Sequence, residues 1–304
     1  MTPEDILSHP PRVLTQAQRE HFFREGYVLA ENVISEAWLI RLRAARDELV
    51  ARGRGLAQSD SVFDLEPGHQ AEAPRLRRVT NPSVQNSTIW EFASQSVLAD
   101  IVADLVGPDV KFLDTMLNFK WPGGGEEIKW HQDAPYFPHT NYALLTAGVF
   151  LEDVGPEQAP MAVVPGSHEG PIHDLYDENG NWTGTISDKD LAGAGLEKAV
   201  HLTGPAGSVQ VHNCRTLHGS ARNDSDKGRP ILLATYSAAD AFPYVPYPAW
   251  SEQTFTIVRG EPARMAHLDP RPCPIPPDWR QGKGYQSIFT WQQREATARR
   301  PEKV

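Results

Sequence analysis

The stretch Lys129–His139, KWHQDAPYFPH, carries His131 and Asp133 with one residue between them. In a β-strand such a pair points to one face, because side chains alternate with a period of two. An imidazole and a carboxylate side by side are two of the three groups of a facial metal site, which holds non-haem Fe(II) and leaves three coordination positions open. A His-x-Asp pair also occurs in surface turns, so the reading depends on a third ligand. Ser208–Ser237, SVQVHNCRTLHGSARNDSDKGRPILLATYS, offers one. It reads as a strand (Ser208–His212), a turn, His218-Gly219-Ser220, a polar turn (Asn223–Gly228) and a strand (Pro230–Ser237). Antiparallel neighbours joined by a turn can bring His218 and Arg229 into one pocket. His218 would complete the triad, and the Arg229 guanidinium could grip a carboxylate in a planar, bidentate way.

These two segments, with DTMLNFKWPGG (from Asp114), GVFLEDV (from Gly148) and VVPGSH (from Val163), resemble the phytanoyl-CoA dioxygenase family of Fe(II)- and 2-oxoglutarate-dependent oxygenases. In order and spacing the likeness runs roughly from Arg78 to Ala239. It implies that His131, Asp133 and His218 are the iron ligands and that Arg229 pairs with the distal carboxylate of 2-oxoglutarate, with Ser220 beside it. It also implies that Met116 lines the same pocket and that Arg78, or its neighbour Arg77, is the basic co-substrate contact. The family's aromatic position after the first ligands falls at Gly148 or a neighbour. The implied reaction consumes 2-oxoglutarate and O2 at Fe(II) and hydroxylates a C–H bond of a small organic metabolite. Halogenases related to the family lack the carboxylate and bind chloride there, so Asp133 implies hydroxylation.

The chain has 304 residues, formal net charge −10 and two cysteines, Cys214 and Cys273. The acidic balance disfavours nucleic acid and anionic membrane surfaces as partners. Two cysteines make neither a disulfide framework nor a zinc cluster. No apolar run has the length of a membrane span, and the start lacks the layout of a signal peptide. The expected setting is the cytoplasm, and the expected partner is a small molecule; oligomeric state is left open.

Outward from the site, the period changes near Val110 from about 3.6 to 2. Before it, Thr15–Gly26, Ser35–Gly53 and Asn86–Leu105 read as helices, the last in two pieces with Ser96 starting the second. Tyr27–Ala30 reads as a strand and Gly55–Pro74 as a loop. Arg75, Arg77 and Arg78 form a basic knot, either a solvated edge strand or a contact to the co-substrate. After Val110, short strands separated by turns suit a mainly β fold with flanking α-helices, a cupin-like double-stranded β-helix or jelly roll. The expected organisation is one domain over residues 1–304: a helical part to about 107, a β core at about 108–240 and a C-terminal strap at about 241–304. Ile172–Val200 is a polar insertion of the kind that forms lids or surface excursions.

His212 competes with His218 as third ligand, but lacks the Gly-Ser that follows His218. Phe119, Trp121, Tyr136, Phe137 and Trp250, with Tyr244 and Tyr247, are candidates for an aromatic substrate wall, suited to a free hydrophobic or aromatic metabolite rather than a coenzyme A thioester. Two other classes fit the same ligands: a cupin-type hydrolase or isomerase holding Zn2+ or Mn2+, which has no need of Arg229, and a non-catalytic binding protein on the same fold.

Overall fold

A computed structural model describes residues 1–281 and 287–292. The charged end expected to fray after Gln292 lies outside the described residues.

The first third forms the expected helices and two short further ones. They are α1 (Pro3–Ser8), α2 (Gln16–Glu25), α3 (Glu36–Gly53), α4 (Pro82–Gln85), α5 (Ser87–Gln95) and α6 (Val97–Val106). The short further ones are α1 and α4, and all but α4 start at a side-chain cap. Thr15 caps α2 in a reciprocal box with Gln18, Ser35 caps α3, and Asn86 and Ser96 cap α5 and α6. Gly26 ends α2 in the left-handed region at φ 81°, which a glycine adopts without steric cost.

The strands are β1 (Tyr27–Ala30), β2 (Phe63–Leu65), β3 (Leu76–Thr80), β4 (Val110–Asn118), β5 (Ile128–His131), β6 (Leu144–Phe150), β7 (Ala162–Val163), β8 (Val200–His201), β9 (Val209–Asn213), β10 (His218–Ser220), β11 (Ile231–Ala238) and β12 (Ile257–Arg259). They make two antiparallel sheets. The major sheet runs β1-β9-β6-β11-β4-β3-β2, with β12 also paired to β4; the minor sheet runs β5-β10-β7-β8. This is the jelly-roll arrangement expected from the strand order.

The major sheet separates two environments by simple alternation. Leu145, Ala147 and Val149 of β6, Val209 and Val211 of β9, and Leu232, Ala234 and Tyr236 of β11 join the helices in the largest hydrophobic core. The residues between them face the minor sheet. A register shift between Thr235 and Tyr236 lets β4 follow the same rule on both sides of the irregularity, with Tyr236 opposite Phe112 and Thr235 opposite Asp114. Across the inward face, strand pairing aligns His212, Thr146, Thr235 and Asp114 in one row. The next row along the strands holds Gln210, Gly148, Leu233 and Met116. Ile231, Asn118 and Arg78 form a third.

Three parts of the sequence reading change. The supposed loop after Gly55 contains β2, which pairs with β3, so the Arg75–Arg78 segment is an inner strand rather than an edge. The tail contributes β12, paired to the start of β4. β5 ends at His131, so Asp133 stands on the bend that follows rather than on the strand. No helix among the described residues is long and apolar enough to cross a membrane.

Candidate iron and co-substrate site

His131 and His218 face each other as directly paired residues of β5 and β10 in the minor sheet. Their rings lie 4.1 Å apart, centroid to centroid. His218 therefore reaches the site from the sheet opposite β9 and β11, not from a hairpin between them. Asp133 arrives by a turn: the Ala134 N–H donates to the Cys214 carbonyl and the Tyr136 N–H to the carbonyl of Asp133 itself. One carboxylate oxygen, Oδ1, lies 3.8 Å from Nε2 of His131 and 3.7 Å from Nε2 of His218. The other, Oδ2, accepts from the Thr146 hydroxyl at 3.0 Å and lies 3.3 Å from Nε2 of His212. His131, Asp133 and His218 can each present a ligand atom within 4.8 Å of the others.

The donor chemistry fits a divalent iron. Burial holds both imidazoles below their ordinary pKa, His218 well below it, so both are neutral near pH 7. Nδ1 of His131 lies 2.8 Å from the Lys129 carbonyl, and Nδ1 of His218 2.9 Å from the Thr216 carbonyl. A carbonyl only accepts, so each ring carries its proton on Nδ1 and turns an Nε2 lone pair toward Asp133. Burial works against ionisation of Asp133, yet its carboxyl lies below the usual range, because the imidazoles around it, His218 foremost, repay its charge once they take up a second proton at low pH. Two neutral nitrogens and one anionic oxygen are the donor set of a facial triad.

His212 belongs to this cluster in a different role. It is fully buried, with its ring 4.3 Å from that of His218, and neither of its nitrogens makes a hydrogen bond among the described residues. It sits behind Asp133 on the Oδ2 side, where it and Thr146 leave Oδ1 as the free ligand atom. Thr146→Val keeps the shape of the side chain and deletes the hydroxyl. Fe(II) affinity, measured by chelator competition, is expected to fall at least about tenfold with an unchanged circular dichroism spectrum. Unchanged affinity would remove Thr146 from the metal site.

The triad opens into a cavity of about 80 Å3, walled in part by Arg78, Asp114, Met116, Tyr136, Phe137 and Ser220. Of the three arginines in the knot, Arg75 pairs with Glu66 and Arg77 with Glu126 and Asp64. Arg78 alone reaches the cavity; its Nε donates to Asn118 Oδ1 at 2.9 Å. Arg229 lies two residues before β11, backbone-paired to Lys120, and is not among the residues that line this cavity; with Arg75, Lys120 and Trp121 it lines a separate pocket. It is buried, its Nε has no partner, and it makes no ion pair among the described residues. Burial alone pulls its pKa down to about 10. Lys120 beside it is already used, donating to the carbonyls of Glu126, Ser220 and Ala221.

The expected aromatic wall forms only in part. Tyr136 and Phe137 line the cavity. Phe119 faces the other way, into the main core, because it stands an odd number of residues from the inward Met116. Trp121 stacks on Phe119 and donates to the Leu76 carbonyl, and Trp250 is 66% exposed on the surface. The position suspected to lack an aromatic is filled differently: a Cβ on Gly148 would lie 2.8 Å from Nε2 of Gln210 and 2.9 Å from Cδ1 of Ile231. Those two side chains occupy the space of a ring. Asp114 and Tyr247, joined at 2.5 Å, were not singled out as site residues; the alternation that places Met116 inward also places Asp114 inward.

Comparison with known proteins agrees with this geometry. Residues 22–231 match the sequence model of the family described as phytanoyl-CoA dioxygenase (PhyH). The chain is 29% identical over 261 residues to a protein of Stutzerimonas stutzeri described as a probable alpha-ketoglutarate-dependent hypophosphite dioxygenase, covering 85% of this chain and 91% of that one. It is 25% identical over 268 residues to an ectoine dioxygenase of Sphingopyxis alaskensis, covering 83% and 85%. The crystal structure of EctD from S. alaskensis with bound Fe superposes with a TM-score of 0.66 at 24% identity, over 85% of this chain and 89% of that one. With more than half of its length matched to the family and a His-Asp-His cluster at its centre, the chain belongs to the phytanoyl-CoA dioxygenase family of Fe(II)- and 2-oxoglutarate-dependent oxygenases.

Proposed function

We propose that His131, Asp133 and His218 hold the Fe(II), that Arg229 and Ser220 hold 2-oxoglutarate, and that the product is a hydroxylated small molecule. The observation that carries this reading is the convergence of two Nε2 lone pairs on the single unengaged oxygen of Asp133. When bound, iron with 2-oxoglutarate and O2 supplies the oxidising chemistry. The chain's own residues orient and exclude. The backbone carbonyls of Lys129 and Thr216 keep both imidazole protons on Nδ1. Thr146 and His212 keep Asp133 one-ended. Arg229 supplies a buried cation for the distal carboxylate of the co-substrate. Four residues, about 13 Å of strand, separate Leu233 in the cavity wall from Arg229. An arginine side chain and a five-carbon diacid cover that gap between them. Arg78 and Met116 stand between the metal and that end. Tyr136 and Phe137 shield the metal from water on the substrate side.

We read the chain as one catalytic domain acting on a small molecule, with no nucleic-acid or membrane partner; β12 ties the C-terminal strap directly to the core strand β4. The names of the relatives span an inorganic anion and an organic osmolyte, so none of their substrates transfers by likeness. The test is oxygen-dependent conversion of 2-oxoglutarate to succinate, stimulated by a screened library of small metabolites. A protein that takes Zn2+ or Mn2+ in preference to Fe(II) and converts no 2-oxoglutarate under any condition would return the site to the hydrolase or isomerase reading.

A further inference from the structure

Asp114 is the one buried acid of the cavity that the iron and co-substrate do not use. It is 1% exposed, lies on the inward face of β4, and lines the cavity wall. Its Oδ2 accepts from the Tyr247 hydroxyl at 2.5 Å, whereas Oδ1 has no partner among the described residues. An unsatisfied carboxylate oxygen in such a place is costly, and burial pushes its pKa up to about 6 against the opposing pull of Tyr247, Thr235 and Arg78. A structural acid would have both oxygens engaged. Its surroundings combine the guanidinium of Arg78 in the same cavity wall, whose charge reaches it, with aromatic rings. The Phe137 ring lies 5.5 Å from that of Tyr247, and both Tyr136 and Phe137 line the same cavity, so aromatic faces and a carboxylate meet at one wall. Strand pairing places Asp114 in the row of Thr146, two strands away, about 10 Å between backbones. Thr146 holds Asp133, so a molecule anchored on Asp114 need be only a few atoms long to present a C–H bond to the metal.

Resting on the iron and co-substrate reading above, we propose that Asp114 is the substrate anchor and that it takes a protonated nitrogen: the substrate is a small ammonium-bearing molecule, not a predominantly apolar one. This departs from the hydrophobic or aromatic metabolite suggested by the sequence, because of the seven aromatics behind that idea only Tyr136 and Phe137 line the cavity. It also disfavours a small inorganic anion, which a buried carboxylate repels.

The test uses the full chain, loaded anaerobically with Fe(II) and 2-oxoglutarate, and two probes of matched shape: pyrrolidine, which is cationic at pH 7.5, and tetrahydrofuran, which is neutral and donates no hydrogen bond. Perturbation of the visible iron–2-oxoglutarate band is the readout, and hypophosphite is the third probe. Half-maximal perturbation by pyrrolidine is expected at a concentration at least about tenfold below that for tetrahydrofuran. In Asp114→Asn that preference should vanish while 2-oxoglutarate half-saturation stays unchanged. Equal response to the two probes in the wild type, stronger response to hypophosphite than to pyrrolidine, or an undiminished preference in Asp114→Asn would each overturn the proposal. Should Asp114→Asn not fold, the wild-type comparison decides alone. Absence of the band itself overturns the iron and co-substrate assignment, and this inference with it.

Discussion

His218→Ala is expected to lose iron and turnover together, whereas His212→Ala should keep a measurable share of both. After anaerobic reconstitution and gel filtration the wild-type protein should retain about one Fe(II) per chain. On the proposed reading, removing His218 takes away one of three donors. The loss in affinity should then exceed the roughly 10–100-fold that attaches to residues which only orient ligands. His131→Ala and Asp133→Ala should behave in the same way. His212 is the informative control, because it is equally buried and close to Asp133. Its contact is with Oδ2, at 3.3 Å, while His131 and His218 share Oδ1. His212→Ala should therefore fall within the orienting range. Iron retained in His218→Ala but lost in His212→Ala would exchange the two roles.

The cluster of His131, Asp133 and His218 that the structure brings together was legible in the sequence through short spacing. His131-x-Asp133, His218-Gly219-Ser220 and Arg229 were each visible as local patterns, and the helix caps at Thr15, Ser35, Asn86 and Ser96 needed only their own neighbourhoods. What the sequence did not disclose depends on pairings between distant segments. Asp133 was read onto a strand because alternation explained its orientation; the structure reaches the same outcome through a bend, a hydrogen bond from Thr146 of β6 and the close approach of His212 of β9. β2 and β12 escaped notice because three-residue strands have no period to detect, and each exists through the neighbour it pairs with. Tyr247 meets Asp114 across 133 residues, a contact that no local pattern encodes. Two errors were avoidable. Once Met116 is taken as a pocket residue, alternation puts Asp114 and Asn118 in the pocket and Phe119 in the core. Nearness in sequence to the metal ligands was a weaker guide than parity along the strand.

Arg229→Met is expected to raise the 2-oxoglutarate half-saturation about 30-fold or more without lowering iron content or destabilising the protein before co-substrate is added. The two halves of this expectation have one cause. Arg229 is a buried guanidinium with no carboxylate partner among the described residues. Burial pulls its pKa down to about 10, below the ordinary value of a guanidinium. For a base with a lowered folded pKa, the unfolded chain binds the proton more tightly. The cost of the charge is then fully present below about pH 10 and disappears only as pH rises toward the ordinary pKa of a guanidinium. At pH 7 the empty site carries that cost, and methionine, similar in reach and uncharged, removes it. Stability without 2-oxoglutarate should accordingly be equal or higher in the variant. On the proposed reading, bound 2-oxoglutarate offsets the cost in the wild type by pairing its distal carboxylate with the guanidinium, so the wild-type melting temperature should climb with co-substrate concentration. Over the same concentrations the variant should show little or no climb. An arginine that merely braced the fold would give the opposite pattern, a large drop in stability before co-substrate is added and an unchanged half-saturation.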